Sequence, residues 1–238
     1  MSFTLRDVVP WGRSISEYSA MFALSPEDLR ARILDCGGGP SSFTSTLCRS
    51  GGHAVSADPL YAFGAAEIRG RIDEARGEIV KEMRANMDDY IWDSRIPSLE
   101  VLVGLRMAAM GEFLADYDEG RAQGRYVAAS LPALPFDDGA FGLALCSHFL
   151  FLYSERHPLE FHVASMRELC RVAEEVRVFP VMELGGGRSR HLDRVISELS
   201  AAGLAASVES VPYEFRKGAS EMLRVVRQRP RAYSTINT

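Results

Sequence analysis

The sequence predicts an α/β fold: a doubly wound, mostly parallel seven-stranded sheet with a terminal antiparallel hairpin, plus a helical insertion between strands 2 and 3. Three observations carry this expectation. The apolar pair Ile33 and Leu34 runs into Asp35 and then Gly37, Gly38 and Gly39, after which a helical pattern begins. A second apolar run, 54–57, ends in Asp58 about 20 residues further on, the spacing at which a nucleoside-binding βαβ unit places an acid for the ribose hydroxyls. Strand-like and helix-like segments then alternate until two strand-like runs, 206–215 and 222–229, follow one another across a turn containing Lys217 and Gly218.

Each element has a local reason. Ser14 and Glu17 fit a capping box for a first helix, with Tyr18, Met21 and Phe22 on one face. Ser25, Pro26, Glu27 and Asp28 read as a second helix start. The first strand spans 32–35, and a helix over 42–49, with Phe43 and Leu47 inward, is closed by Gly51 and Gly52. The second strand spans 53–58. From 62 to about 123 there is only helical pattern: a highly charged segment at 65–89, a break at Trp92 and Pro97, then a helix over 99–118 with Leu102, Leu105, Met110, Phe113 and Leu114 as its apolar positions. A crossover helix needs about 12 residues, so this insertion is several times longer, fit for a substrate lid or a dimer face.

Strand 3 is expected at 126–130 and strand 4 at 141–146, the latter near-continuously apolar as a sheet covered on both faces requires. A helix over 158–173, strand 5 at 175–181, a glycine turn at 185–187 and a helix over 191–202 complete the order, which reads as five βα units closed by the hairpin. The chain divides into an N-terminal helical cap (1–30), a main domain (31–229) containing the insertion at 60–125, and a tail (230–238).

Composition narrows the function classes. With 238 residues, 47% hydrophobic and 25% charged, the chain suits one filled α/β domain with an elaboration. A net charge of −5 argues against a general nucleic-acid binder, which needs clustered Lys and Arg. The local exception, Arg216, Lys217, Arg224, Arg227, Arg229 and Arg231, reads as a solvated edge strand and tail. Cys36, Cys48, Cys146 and Cys170 have no CxxC or disulfide spacing. Arg6, Asp7, Pro10 and Arg13 interrupt any leader-like apolar run, and no stretch reaches about 18 apolar residues, so a cytoplasmic protein without membrane association is expected. His157 and His162 lack zinc-helix spacing, so no metal is expected. Gly185, Gly186 and Gly187 with Arg188 and Arg190 offer an anion site or, more simply, a connecting loop.

Over residues 31–229 the chain resembles the class I S-adenosylmethionine-dependent methyltransferases. Asp35, Gly37 and Gly39 are similar to that family's first motif, Asp58 stands where it places the ribose-binding acid, and Ser130 and Leu131 stand where an Asp-Ala pair often lines the adenine. The segment 134–138 matches its Leu-Pro-Phe-x-Asp stretch, and Cys146, Ser147 and His148 end strand 4 beside the expected methyl group. The resemblance implies S-adenosyl-L-methionine as cofactor and methyl transfer as activity. It also makes Tyr18 a candidate aromatic closing over the cofactor. Pro40 and Ser41 replace the third motif glycine, and Ser130 replaces the usual acid.

In-line transfer from a sulfonium draws mainly on positioning and desolvation, with a base needed only when the acceptor must lose a proton. His148 is the candidate base; the alternative is a packed core histidine. Tyr153 either orients the acceptor or belongs to the core. No Asn/Asp-Pro-Pro-Tyr/Phe segment follows strand 4, which removes support for amine methylation of bases or glutamine. The acidic balance and the helical insertion point to a small-molecule O- or N-nucleophile as the expected acceptor rather than RNA or protein, with a homodimer through the insertion as a further expectation. The rival readings are a non-catalytic cofactor-binding or interaction scaffold, an RNA methyltransferase, and an NAD-dependent oxidoreductase. The last would need a substrate domain for which few residues remain.

Overall fold

The structure, a computed structural model, describes residues 10–227. Arg229, Arg231 and the tail at 230–238 lie outside the described residues, as do Arg6 and Asp7. The order is α1 (Ile15–Met21), β1 (Arg32–Cys36), α2 (Phe43–Arg49), β2 (His53–Ala57), α3 (Ala65–Ala85), α4 (Leu99–Ala122), β3 (Tyr126–Val127), β4 (Phe141–Ser147), α5 (Leu159–Val172), β5 (Ala173–Phe179), α6 (Leu192–Ala201), β6 (Leu204–Ser210) and β7 (Glu221–Arg227). One seven-stranded sheet runs β3-β2-β1-β4-β5-β7-β6. The first five strands are parallel, and β7 pairs antiparallel with both β5 and β6. This strand order, with β7 reversed between β5 and β6, is the class I, Rossmann-like methyltransferase fold.

Alternation along the central strands divides the core into two layers. Leu34, Cys36, Ala144, Cys146, Val176 and Val178 face α5 and α6 on one side. Ile33, Leu143 and Leu145 face Tyr18, Met21 and Phe22 of the α1 region and Phe43 and Leu47 of α2 on the other. The Ser14–Glu17 capping box forms as expected, with Ser14 and Glu17 bonding each other reciprocally. Among the described residues no helix is long and apolar enough to cross a membrane.

Several local expectations need correction. The start at Ser25 yields only a single 3-10 turn, Asp28–Arg30. Ser25 N–H donates to the Asp28 carboxylate at 2.8 Å and Asp28 N–H to Ser25 Oγ at 3.1 Å, but β1 begins at Arg32 and leaves no length for a helix. Asp28 is also held by the buried Arg177 of β5 at 3.0 Å, which fixes this turn to the sheet. Strand 3 shrinks to two residues, because only Tyr126 and Val127 find partners on β2 at the sheet edge. No helix joins β3 to β4 among the described residues. Instead the loop carrying Leu131, Leu134 and Phe136 packs on the α5 face, pinned by Leu134 N–H to Glu168 at 2.6 Å and by Arg171 to the Phe136 carbonyl at 2.8 Å.

On α4 the buried stripe is Leu99, Leu102, Arg106, Met110, Phe113 and Tyr117, spaced by threes and fours. Leu105, expected inward, is 44% exposed, and Arg106 takes the inward position. Finally, the basic stretch is not an edge strand: β6 is the edge and β7 lies inside it. Arg224 pairs with Glu175 at 2.7 Å, Arg227 donates to the Cys170 carbonyl at 3.0 Å, and Arg216 faces Asp89 at 3.8 Å. Strands 5 and 6 also end earlier than expected, ahead of Pro180 and Pro212, which have no N–H for a ladder.

Candidate active site

The carboxyl ends of β1, β2 and β4 converge on the glycine turn, as ligand sites in doubly wound sheets do. Gly37 and Gly39 both take left-handed backbone, with φ of 71° and 52°. Gly38 is needed for a different reason: a Cβ there would lie 2.1 Å from Asp35 Oδ2 and 2.5 Å from Ser56 Oγ. The turn thus sits directly on a buried polar network. Tyr18 O–H donates to Asp35 Oδ1 at 3.0 Å and Ser56 O–H to Asp35 Oδ2 at 3.2 Å. The Tyr61 hydroxyl lies 2.7 Å from both Ser56 Oγ and the Gly39 carbonyl. Burial pushes the Asp35 carboxyl up to about 7, against the opposing hydrogen bonds from Tyr18 and Ser56.

Asp58 follows β2, where its Oδ1 accepts from Leu60 N–H at 2.8 Å and its Oδ2 from Gly39 N–H at 2.9 Å. Burial raises this carboxyl to about 6, with the two backbone bonds acting in the other direction. Each oxygen keeps capacity for one more donor.

Three openings surround this arrangement. A cleft over the glycine turn is walled by Trp11, Arg13, Tyr18, Pro40, Asp58 and His148. Next to it, sharing Gly37 and Asp58, is an apolar slot between Ala57, Pro59, Leu131 and Phe149, with Ser130 at its rim. On the other side is a cavity of about 510 Å³, and Trp11, Arg13 and His148 wall both it and the cleft. Its remaining surface comes from α3, Arg106 of α4, the 3-10 turn at Met87–Asp89 and Tyr90 after it, Leu152 and Tyr153 after β4, the segment after β5, and residues 213–219. The insertion therefore walls this cavity.

His148 ends β4 with φ of 51°, uncommon for a residue with a side chain, and its N–H donates to the Phe179 carbonyl at 2.7 Å. Its Nδ1 lies 2.9 Å from Ser147 Oγ. Burial, and then Arg13 and Arg106, hold the imidazole well below its ordinary pKa, so it is neutral at physiological pH.

The structure brings Tyr18, Gly37, Gly39, Asp58 and His148 around one cleft and Ser130 and Leu131 into the adjoining slot. Asp35 lies beneath the turn, 1% exposed, and walls none of these openings. Tyr153 is buried and walls the large cavity. Arg188 and Arg190 at the 185–187 turn are engaged by Asp193, Glu155 and Glu183.

Sequence reasoning did not single out Trp11 or Phe149 as wall residues, and it took Arg13 only as a break in an apolar run. A Cβ on Gly12 would meet the Pro40 carbonyl oxygen at 2.0 Å, and Ser41 O–H and Ser42 N–H both donate to the Arg13 carbonyl at 3.0 and 3.1 Å. Pro40, Ser41 and Ser42, in place of a third glycine, thus hold residues 11–13 over the site. The run Trp11-Gly12-Arg13 ahead of a capping box was the available signal.

No family model matches the chain. The uncharacterized protein MJ0045 of Methanocaldococcus jannaschii is 30% identical over 223 residues, 94% of this chain and 98% of that protein. The chain belongs to its family. Among solved structures, magnesium protoporphyrin IX methyltransferase from Synechocystis PCC 6803 with bound S-adenosylmethionine is similar over 90% of this chain and 78% of its own, at 14% identity and a TM-score of 0.47. An S-adenosylmethionine-dependent methyltransferase from Thermotoga maritima is similar over 90% of this chain and 89% of its own, at 13% identity and a TM-score of 0.45.

Proposed function

We propose that this member of the MJ0045 family is an S-adenosylmethionine-dependent methyltransferase acting on a small-molecule O- or N-nucleophile. The observation that carries the reading is the shared wall: His148 stands between the cleft over the glycine turn and a separate cavity of about 510 Å³. In this reading Asp58 accepts from the ribose hydroxyls, Ser130 and Leu131 with Phe149 enclose the adenine, and the amino-acid end passes Gly37, Gly39 and Tyr18. Asp35 acts through the turn, fixing Tyr18 and Ser56 beneath it. The cofactor supplies an electrophilic methyl on a sulfonium.

The transfer balances within these groups. A lone pair of the acceptor oxygen or nitrogen forms the bond to the methyl carbon. With S-adenosylmethionine bound, its sulfonium would keep the electrons of the carbon–sulfur bond as the methyl departs, so the protein need supply no further group to accept charge. The proton leaving the acceptor passes to the neutral imidazole of His148. A cavity of this volume suits a compact organic molecule better than a polymer strand.

The test is calorimetric titration with S-adenosylmethionine, S-adenosylhomocysteine and NADH in parallel. Micromolar binding of the first two without an NADH signal is expected. Absence of binding by both sulfur nucleosides would refute the reading and favour an interaction scaffold.

A further inference from the structure

We propose that the molecule occupying the 510 Å³ cavity presents a carboxylate, on a flat apolar body, to Arg13 beside His148. This rests on the methyltransferase reading and names the acceptor class for it.

The argument begins with an imbalance of charge. Arg13 and Arg106 both wall the cavity, and among the described residues one half-buried carboxylate, Glu17, lies close to the pair. Glu17 carries one charge against two guanidinium groups, and its hydrogen bonds go elsewhere than Arg13. Its Oε2 accepts from Ser14 N–H at 3.1 Å and pairs with Arg106, and its Oε1 accepts from Tyr213 O–H at 3.1 Å. Among the described residues Arg13 makes one hydrogen bond, to the Trp11 carbonyl at 3.2 Å, and its Nε is buried without a partner, as is the Nε of Arg106. A guanidinium stays protonated in such surroundings, so among the described residues the inner wall of the cavity carries one more positive charge than Glu17 balances.

The other charges of the cavity do not correct this. Glu82 and Asp89 are exposed, and Asp89 is opposite Arg216 at 3.8 Å. Most of the remaining wall is apolar and aromatic, including Ile79, Met83, Leu152 and Met182, with Tyr90 and Phe215 stacked at 5.1 Å. A carboxylate at Arg13 and a flat apolar body against Tyr90 and Phe215 satisfy both parts. Such an anion would also offset the cations that depress His148, so the bound acceptor makes its own base stronger.

The experiment uses benzoate, 4-hydroxybenzoate, cinnamate and indole-3-acetate, each against its carboxamide, titrated calorimetrically into protein saturated with S-adenosylhomocysteine. At least one carboxylate is expected to bind more than tenfold tighter than its amide. Arg13→Gln should abolish that preference and Arg13→Lys should keep it, each measured at a concentration of S-adenosylhomocysteine that saturates the variant. Failure of every carboxylate to bind, equal binding of an amide, or an Arg13→Gln variant that loses the nucleoside rather than the probe would overturn the proposal. If S-adenosylhomocysteine does not bind the wild type, the methyltransferase reading falls by itself, and the same pairs titrated into the protein alone still decide the cavity's preference.

Discussion

Replacing Asp58 with alanine isolates the group on which nucleoside recognition depends in the proposed site. Its two carboxylate oxygens already accept Leu60 N–H and Gly39 N–H, at 2.8 and 2.9 Å, and each would take one ribose hydroxyl. Hydrogen bonds to a charged group contribute roughly 1.5–3 kcal/mol each, so losing two costs about 3 kcal/mol or more, about a hundredfold in Kd. The same change leaves two backbone N–H groups unpaired, so the variant should also melt at a lower temperature. S-adenosylhomocysteine titration after a folding check by circular dichroism measures the effect. The wild type provides a second arm that needs no variant. Asp58 titrates near 6, so the fraction able to accept both hydroxyls falls as pH drops from 8 to 5, and affinity should weaken about tenfold. An unchanged Kd in folded Asp58→Ala, together with a flat pH profile in the wild type, would refute the ribose assignment.

Two further outcomes follow from the same network. Asp35 has a folded pKa of about 7, above its ordinary value near 4, so the stability it contributes is fully present below pH 4 and is lost as pH rises through about 7. Asp35→Asn keeps an acceptor for Tyr18 and removes this titration, so chemical denaturation should show it gaining about 2 kcal/mol on the wild type between pH 5 and pH 7; parallel pH profiles would contradict the cause given. His148→Ala should slow single-turnover methyl transfer by about 10²–10⁴ at saturating cofactor while leaving S-adenosylhomocysteine affinity unchanged. A variant that instead fails to fold would assign the histidine to the core.

The glycine turn, Asp58 and the apolar run of β4 were legible in the sequence because each is fixed by its own neighbours. Left-handed glycines, a cap after a strand and a strand buried on both faces need no distant partner to be recognised. The expectations that missed depend on contacts remote in the chain. Tyr126 begins a strand whose length is set by what β2 offers, so two residues pair where five have strand character. Leu105 and Arg106 are adjacent on α4, and hydrophobicity alone favours turning the leucine inward. The arginine wins because Glu17 of α1, 89 residues away, receives its guanidinium. Trp11 and Arg13 carry no motif, since their place over the glycine turn depends on the fit of Gly12 against Pro40. The alternation of elements called for a helix between strands 3 and 4, and the anchors of the 131–138 loop on α5, Glu168 and Arg171, show what stands in its place.

Trp11, Arg13 and His148 belong to two chambers at once, and this has a thermodynamic consequence. A guest in the cleft becomes part of the partition that a guest in the cavity meets, and the reverse holds equally. Whatever factor the first guest adds to the affinity of the second, the second must return to the first. Titrations carried out with either chamber empty therefore measure different constants from those carried out with it filled, and the logarithm of their ratio, multiplied by RT, gives the coupling free energy across three side chains.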